Sequence, residues 1–198
     1  MSDATAPESA GRAGTEALAC VTGRFQPVHN QHLELMRIAL SGADHLLVGL
    51  TNPDAGTRRE EPSSAHRHTE DGNPFTFFER SRLITAALTA DGWDGRFTIV
   101  PFDLFRPESW YEYVPSHARH FVRSYSAWEE RKAGLLADGG YLVERLVGEP
   151  DGRISGSDIR ARIDRGDPWE ELVPPAVVAP LRALAAARRG ADSAGRPR

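Results

Sequence analysis

Short apolar runs bounded by breakers alternate along the chain with longer stretches of helical period. ALACVTG (17–23), HLLVGL (45–50), FTIVPF (97–102), ARHFVRSYS (118–126) and YLVERL (141–146) each predict a strand. HLELMRIALSGADH (32–45) places Leu33, Met36, Ile38 and Leu40 at helical spacing and stops at Ser41-Gly42. Residues 75–92 repeat the pattern with Phe78, Leu83, Ile84, Ala87 and Leu88 before a terminal Gly. Further helices are expected at 128–140, 155–166 and 175–189. Strands alternating with helices imply βαβ units, so the predicted class is α/β: a parallel five-stranded sheet with helices on both faces and a C-terminal helical segment.

Two connections interrupt this rhythm. Residues 52–74 have no period and many breakers, and a loop longer than about 15 residues in a compact domain is usually functional or mobile. DLFRPESWYEYVP (103–115) is polar and aromatic, with room for one helical turn. Residues 1–16 and 189–198, rich in Ala, Gly, Ser, Pro and charge, read as disordered tails around a single domain at 17–188.

Composition narrows the class. At 198 residues with 40% hydrophobic content the chain suits one core. A net charge of −4 with both signs scattered argues against a general nucleic-acid binder. Cys20 is the single cysteine, which excludes an internal disulfide and a Cys-rich zinc module. No apolar run long enough to span a membrane and no basic-then-apolar leader occur, so no membrane partner and a cytoplasmic location are expected.

Candidate chemistry gathers where strands end, the place at which open parallel sheets bind ligands. GRFQPVHNQH (23–32) follows the first strand, and three-residue spacing puts His29 and His32 on nearly one helix face. Free first-turn amides, the helix dipole, Arg24 and the small Gly23 would favour an anion. Imidazole donors there would stabilise charge building at phosphorus. The bland alternative has His29 capping the turn and His32 on the surface; zinc is a poor competitor, since no third ligand stands out. ISGSDIRARI (154–163) is a second anion cradle, with Ser155 and Asp158 forming a cap, Gly156 and Ser157 leaving amides open, and Arg160 and Arg162 following. Alone it is equally compatible with a capped surface helix; two such cradles together suit a triphosphate.

Taken in order, GRFQPVHNQHL (23–33), NPFTFFER (73–80) and ISGSDIRARI through WEELVPPAVV (154–178) resemble the HxGH nucleotidyltransferases, specifically the archaeal-type nicotinamide mononucleotide (NMN) adenylyltransferases. The resemblance covers about residues 17–185 and implies a Rossmann-like nucleotidyltransferase fold. By it, His29, His32 and Arg24 act on the triphosphate, Gly23, Phe25 and Gln26 belong to the nucleotide site, and Ser155, Gly156, Ser157 and Arg160 hold the β- and γ-phosphates. The implied reaction is attack of an acceptor on the α-phosphorus of a nucleoside triphosphate, releasing pyrophosphate. Mg²⁺ would bridge phosphate oxygens, with no metal held by the protein itself.

Departures from the family pattern cluster on the acceptor side. Gly72 stands where the family has Arg ahead of NPFT, and Asn30-Gln31 where it has a residue and Gly. Asp103 and Trp110 match the nicotinamide-holding residues, but the Asn position is Pro107. RSYSAWEER (123–131) replaces an SNNP-like segment and introduces Tyr125 and Trp128. Arg67, Arg106 and Arg123 would suit a small acceptor richer in negative charge. The expected acceptor set is therefore Arg67, Asp103, Arg106, Trp110, Arg123 and Tyr125. The pattern is similar to the cytidylyltransferases of phosphonate natural-product pathways, including the branch that activates phosphonoformate with CTP in phosphinothricin-type biosynthesis. The expectation is transfer from CTP to a small phosphonate. An NMN adenylyltransferase using ATP and a non-catalytic nucleotide sensor are the alternatives, and a homo-oligomer is left open.

Overall fold

The computed structural model describes residues 16–60 and 68–193. Strands β1 (Leu18–Gly23), β2 (His45–Leu50), β3 (Phe97–Pro101), β4 (Arg119–Ser124) and β5 (Leu142–Val147) form one sheet in the order β3-β2-β1-β4-β5. Every neighbouring pair is parallel. The helices are α1 (Asn30–Leu40), α2 (Phe77–Ala90), α3 (Ala127–Asp138), α4 (Gly156–Arg165) and α5 (Pro175–Ser193).

Alternation along the strands sorts side chains into two cores. Ala19 and Val21 of β1, with Leu46, Val48 and Leu50 of β2, pack among Met36 of α1, Ile84 of α2, Ile159 of α4 and Leu181 of α5. Cys20, Leu47 and Val122 face the other way, against Trp128, Ala133 and Leu136 of α3 and the rings of Trp110 and Tyr141. Helices thus cover both faces, as the α/β reading requires. No helix among the described residues is long and apolar enough to cross a membrane.

Several boundaries differ from the periodic pattern for local reasons. Helix α1 starts at Asn30, ahead of the apolar run, because extended His29 (φ −139°, ψ 174°) is its N-cap and the first turn is polar. Phe78 is exposed, and Phe75, just before α2, is buried in its place. Helix α5 continues to Ser193, past the Arg189 at which a tail was expected. Inside the 52–74 loop a 3-10 turn at Ala55–Thr57 is capped by the Asp54 carboxylate, which accepts from the Thr57 amide at 3.0 Å. Arg67 and the terminal segments 1–15 and 194–198 lie outside the described residues.

Register positions the site. All six residues of β1 pair with β2, but β1 meets β4 only at Ala19↔Arg119 and Cys20↔His120. Beyond those pairs β1 and β4 part at their carboxyl ends. This is also where the strand order reverses, the position at which parallel sheets open a ligand crevice.

Candidate active site

The β1–α1 turn is built on Phe25, whose positive φ of 48° is unusual outside glycine. Its ring lies over Gly23, where a Cβ would sit 3.0 Å from Phe25 Cζ. The missing side chain at Gly23 therefore makes room for this ring, and Gly23 itself lines the cavity described below. Phe25 also meets the His32 ring edge-on at 4.8 Å.

His29 and His32 stack with ring centroids 3.5 Å apart. His32 Nδ1 accepts the His29 backbone amide at 3.3 Å, so the neutral ring carries its proton on Nε2, a donor. His29 is buried, and its Nδ1 has no hydrogen-bond partner. Burial, then the nearby Arg153, pulls His29 down to about 3. Burial does most to hold His32 well below the ordinary imidazole range, followed by His29, Lys132, Arg123 and Arg153. Both imidazoles are thus neutral donors at physiological pH. His29 does sit at the cap position, but its buried ring stacked on His32 goes beyond a surface cap.

The two sequence cradles meet in space. Ser155 caps α4 by accepting the Asp158 amide at 3.0 Å. Arg160 donates to the Gln26 carbonyl at 2.7 Å and to Ser157 Oγ at 3.2 Å. A Cβ on Gly156 would lie 2.5 Å from that same Gln26 carbonyl, so glycine is what lets α4 seat against the turn. Gln31 adds a third tie, donating to the Gly152 carbonyl at 3.1 Å and accepting from the Ile154 amide at 2.9 Å. The Gln26 amide group is committed to both backbone groups of Phe75, each at 2.9 Å, so its side chain clamps the NPFT segment.

Arg80 was not singled out in the sequence, although it closes the NPFTFFER segment. Only 1% exposed, it donates to the carbonyls of Arg24 (2.9 Å), Thr51 (2.8 Å) and Asn52 (2.8 Å), pinning the loops after β1 and β2 together. Arg24 in turn donates to the Gly72 carbonyl at 3.0 Å. An arginine on the buried stripe of a helix was the available signal.

These elements enclose a cavity of about 530 Å³ lined by the histidine pair, the turn and the α4 start. Arg24, Arg59, Arg123, Lys132, Arg153 and Arg160 line it, against the carboxylate of Glu129. That carboxylate is already engaged by Arg153 at 3.0 Å and Ser126 Oγ at 2.5 Å. Tyr125 stands on the wall with its hydroxyl on Gln31 Oε1 at 3.2 Å and the Arg153 guanidinium 4.8 Å from its ring centre. Among the described residues, no group of three His, Cys, Asp or Glu gathers that could hold a metal ion.

The expected acceptor set is divided. Arg123 and Tyr125 line the cavity. Trp110 does not: it is 2% exposed in the second core, stacks on Phe102, and donates its indole N–H to the Asp103 carbonyl at 2.8 Å. Asp103 folds its carboxylate back onto the Phe105 amide at 3.0 Å. Arg106 pairs at the surface with Glu108, at the start of a 3-10 turn that Pro107 initiates. These three shape the loop after β3, and the cavity is lined instead by Lys132 and Arg153, which the sequence reading did not single out.

Comparison with known proteins agrees with this geometry. Residues 20–162 match the cytidylyltransferase-like family. The chain is 40% identical over 158 residues to the phosphonoformate cytidylyltransferase of Streptomyces viridochromogenes, covering 79% of this chain and 86% of that protein. It is 30% identical over 168 residues to the nicotinamide-nucleotide adenylyltransferase of Pyrococcus horikoshii, covering 84% and 83%. The fold resembles the bifunctional NMN adenylyltransferase/ADP ribose pyrophosphatase of Francisella tularensis with a TM-score of 0.59 at 15% identity, over 90% of this chain and half of that one. The chain belongs to the cytidylyltransferase-like family and is a nucleotidyltransferase.

Proposed function

We propose that the protein transfers a cytidylyl group from CTP to a small phosphonate such as phosphonoformate, releasing pyrophosphate. The observation that carries this reading is the cavity's charge. Six cationic side chains face one engaged carboxylate in a chain whose net charge is −4. Such a site suits two polyanions together: a triphosphate and a compact, highly charged acceptor. The loop that would hold a nicotinamide has turned Trp110 into core and carries Pro107, which has no side-chain amide to meet a carboxamide. The 40% identity to a protein named phosphonoformate cytidylyltransferase supports both the base and the acceptor.

An oxygen of the acceptor attacks the α-phosphorus, the bond from that phosphorus to the bridging oxygen breaks, and pyrophosphate leaves with the electron pair. Nε2–H of His32 and the His29 imidazole donate to α-phosphate oxygens as negative charge grows there. Arg24 and Arg160, with the amides at the start of α4, take the β- and γ-phosphates. Mg²⁺ held through the nucleotide's own phosphates would offset part of their charge. Positioning and charge compensation carry the rate, so no protein base is needed.

The test incubates the protein and Mg²⁺ with CTP or ATP against NMN, phosphonoformate and other small phosphonates, and measures pyrophosphate. Release with CTP and phosphonoformate is the expected result. Turnover only with ATP and NMN would make it an NMN adenylyltransferase, and binding without turnover for any pair would make it a sensor.

A further inference from the structure

Lys132 is the chain's one lysine, in a sequence that otherwise uses arginine for its positive charge. It projects from the second turn of α3 into the crevice where β1 and β4 part. There its ammonium donates to the Thr22 carbonyl at 2.9 Å. Had β1 and β4 stayed paired, that β1 carbonyl would sit between two strands; the lysine stands in the gap that their separation opens. An ammonium has three donors on a compact point charge, so it can hold a carbonyl and still face a ligand, whereas a planar guanidinium would need a wider mouth.

The surroundings point to an anion. Arg123 and Arg153 line the same cavity, and Arg123 is held by Glu34 at 2.8 Å, which fixes its direction. Phe105 and Trp128 also line it, their rings 6.3 Å apart, giving this end of the cavity an apolar border. The hydroxyls of Thr22 and Ser124, from the facing ends of β1 and β4, are buried without hydrogen-bond partners. Lys132, Arg123 and Arg153 line the same cavity as the stacked histidines and lie close enough to His32 to lower its pKa, so an occupant they hold would sit within reach of the reacting phosphorus.

We infer that the β1–β4 crevice is the acceptor's specificity site, in which Lys132, flanked by Arg123 and Arg153, takes a second anionic group, a carboxylate next to the phosphonate. This rests on the proposed cytidylyl transfer. The acceptor class it names is a phosphonate carrying another negative group on the adjacent carbon, and it disfavours plain alkylphosphonates.

The experiment compares phosphonoformate with methylphosphonate, which lacks the carboxylate, in wild type, Lys132→Met and Lys132→Arg. In Lys132→Met, kcat/KM for phosphonoformate should fall about 10- to 100-fold, as expected for loss of a charge-assisted hydrogen bond. Activity with methylphosphonate and KM for CTP should stay within about threefold, and Lys132→Arg should recover part of the loss. Equal losses with both acceptors, or a raised KM for CTP, would overturn the assignment and make Lys132 a strut of the sheet. Calorimetric titration of phosphonoformate into wild type and Lys132→Met reads the same contact without turnover. Absent cytidylyl transfer would then count against the reaction alone, while unchanged phosphonoformate binding in Lys132→Met, or none in wild type, would overturn the site.

Discussion

Arg80→Met removes the guanidinium that joins the loops after β1 and β2 while nearly keeping side-chain volume. Three carbonyls, those of Arg24, Thr51 and Asn52, lose their charged donor. Hydrogen bonds to charged groups are worth about 1.5–3 kcal/mol each, so the gross loss is roughly 4–9 kcal/mol. Against this stands the cost of burying the charge. Desolvation, helped by Arg58, pulls Arg80 down to about 10, a penalty on the charged form of roughly 3 kcal/mol that methionine escapes. The difference leaves a net destabilisation of about 1–6 kcal/mol. Urea unfolding with an unchanged m-value should show it as a lower midpoint, and Tm should fall by about 2–4 °C per kcal/mol for a domain of this size. Because the Arg24 backbone is one of the held groups, kcat should drop as well. Arg80→Lys, which keeps the charge but cannot fork between two loops, should fall between the two proteins. A loss below about 1 kcal/mol in Arg80→Met would mean that water satisfies these carbonyls and that the loops need no clamp.

Other outcomes follow from single contacts. His29→Ala should lower turnover about 10²-fold or more in the pyrophosphate assay with little loss of stability, since its buried Nδ1 makes no hydrogen bond; unchanged turnover would remove the histidine mechanism. Trp110→Phe, which deletes the indole bond to Asp103, should cost about 1–2 kcal/mol in urea unfolding and leave acceptor KM unchanged. His29 and His120 are pulled down to about 3, both chiefly by burial, so between about pH 3 and 6.5 the unfolded chain binds more protons than the folded one. Stability is then full above about pH 6.5 and is lost as pH falls, by about 1.4 kcal/mol per pH unit for each such group. His120→Phe, which removes a ring with no hydrogen-bonded nitrogen from an aromatic cluster, should shrink that slope in urea titrations at pH 5 and pH 8.

How far the sequence could be read depended on the scale of the cause. Strand alternation and helical period are local, so five parallel strands and the order of the elements were legible. The pairing of GRFQPVHNQH with ISGSDIR was legible too, because both carry helix-cap chemistry; Arg160 on the Gln26 carbonyl is its realisation. What escaped depends on where loops land. Gly23 and Gly156 both spare a Cβ, yet one faces a ring and the other a carbonyl, a difference that sequence spacing does not carry. Trp110 entered the acceptor set only through its match to the family's nicotinamide-holding residue, but in the turn begun by Pro107 it lies in the core. Lys132 was hidden in an amphipathic helix and becomes a crevice residue only because β1 and β4 separate above it.

A mildly acidic protein thus concentrates positive charge in one cavity without charging its histidines. Burial does most to keep the two stacked imidazoles neutral, and the cations beside them, Arg153 for His29 and Lys132, Arg123 and Arg153 for His32, add to it. On the proposed reaction, a bound triphosphate would offset those cations and weaken the part of the shift that they cause, while the part due to burial stays. The histidine N–H groups would then meet the charge that develops at phosphorus with less opposition than in the empty site. On the proposed reaction, the donor half would rest on backbone cradles from the β1–α1 turn and α4, and the acceptor half on side chains of β4 and α3. Substitution within β4 and α3 can therefore change the acceptor while the triphosphate clamp stays intact.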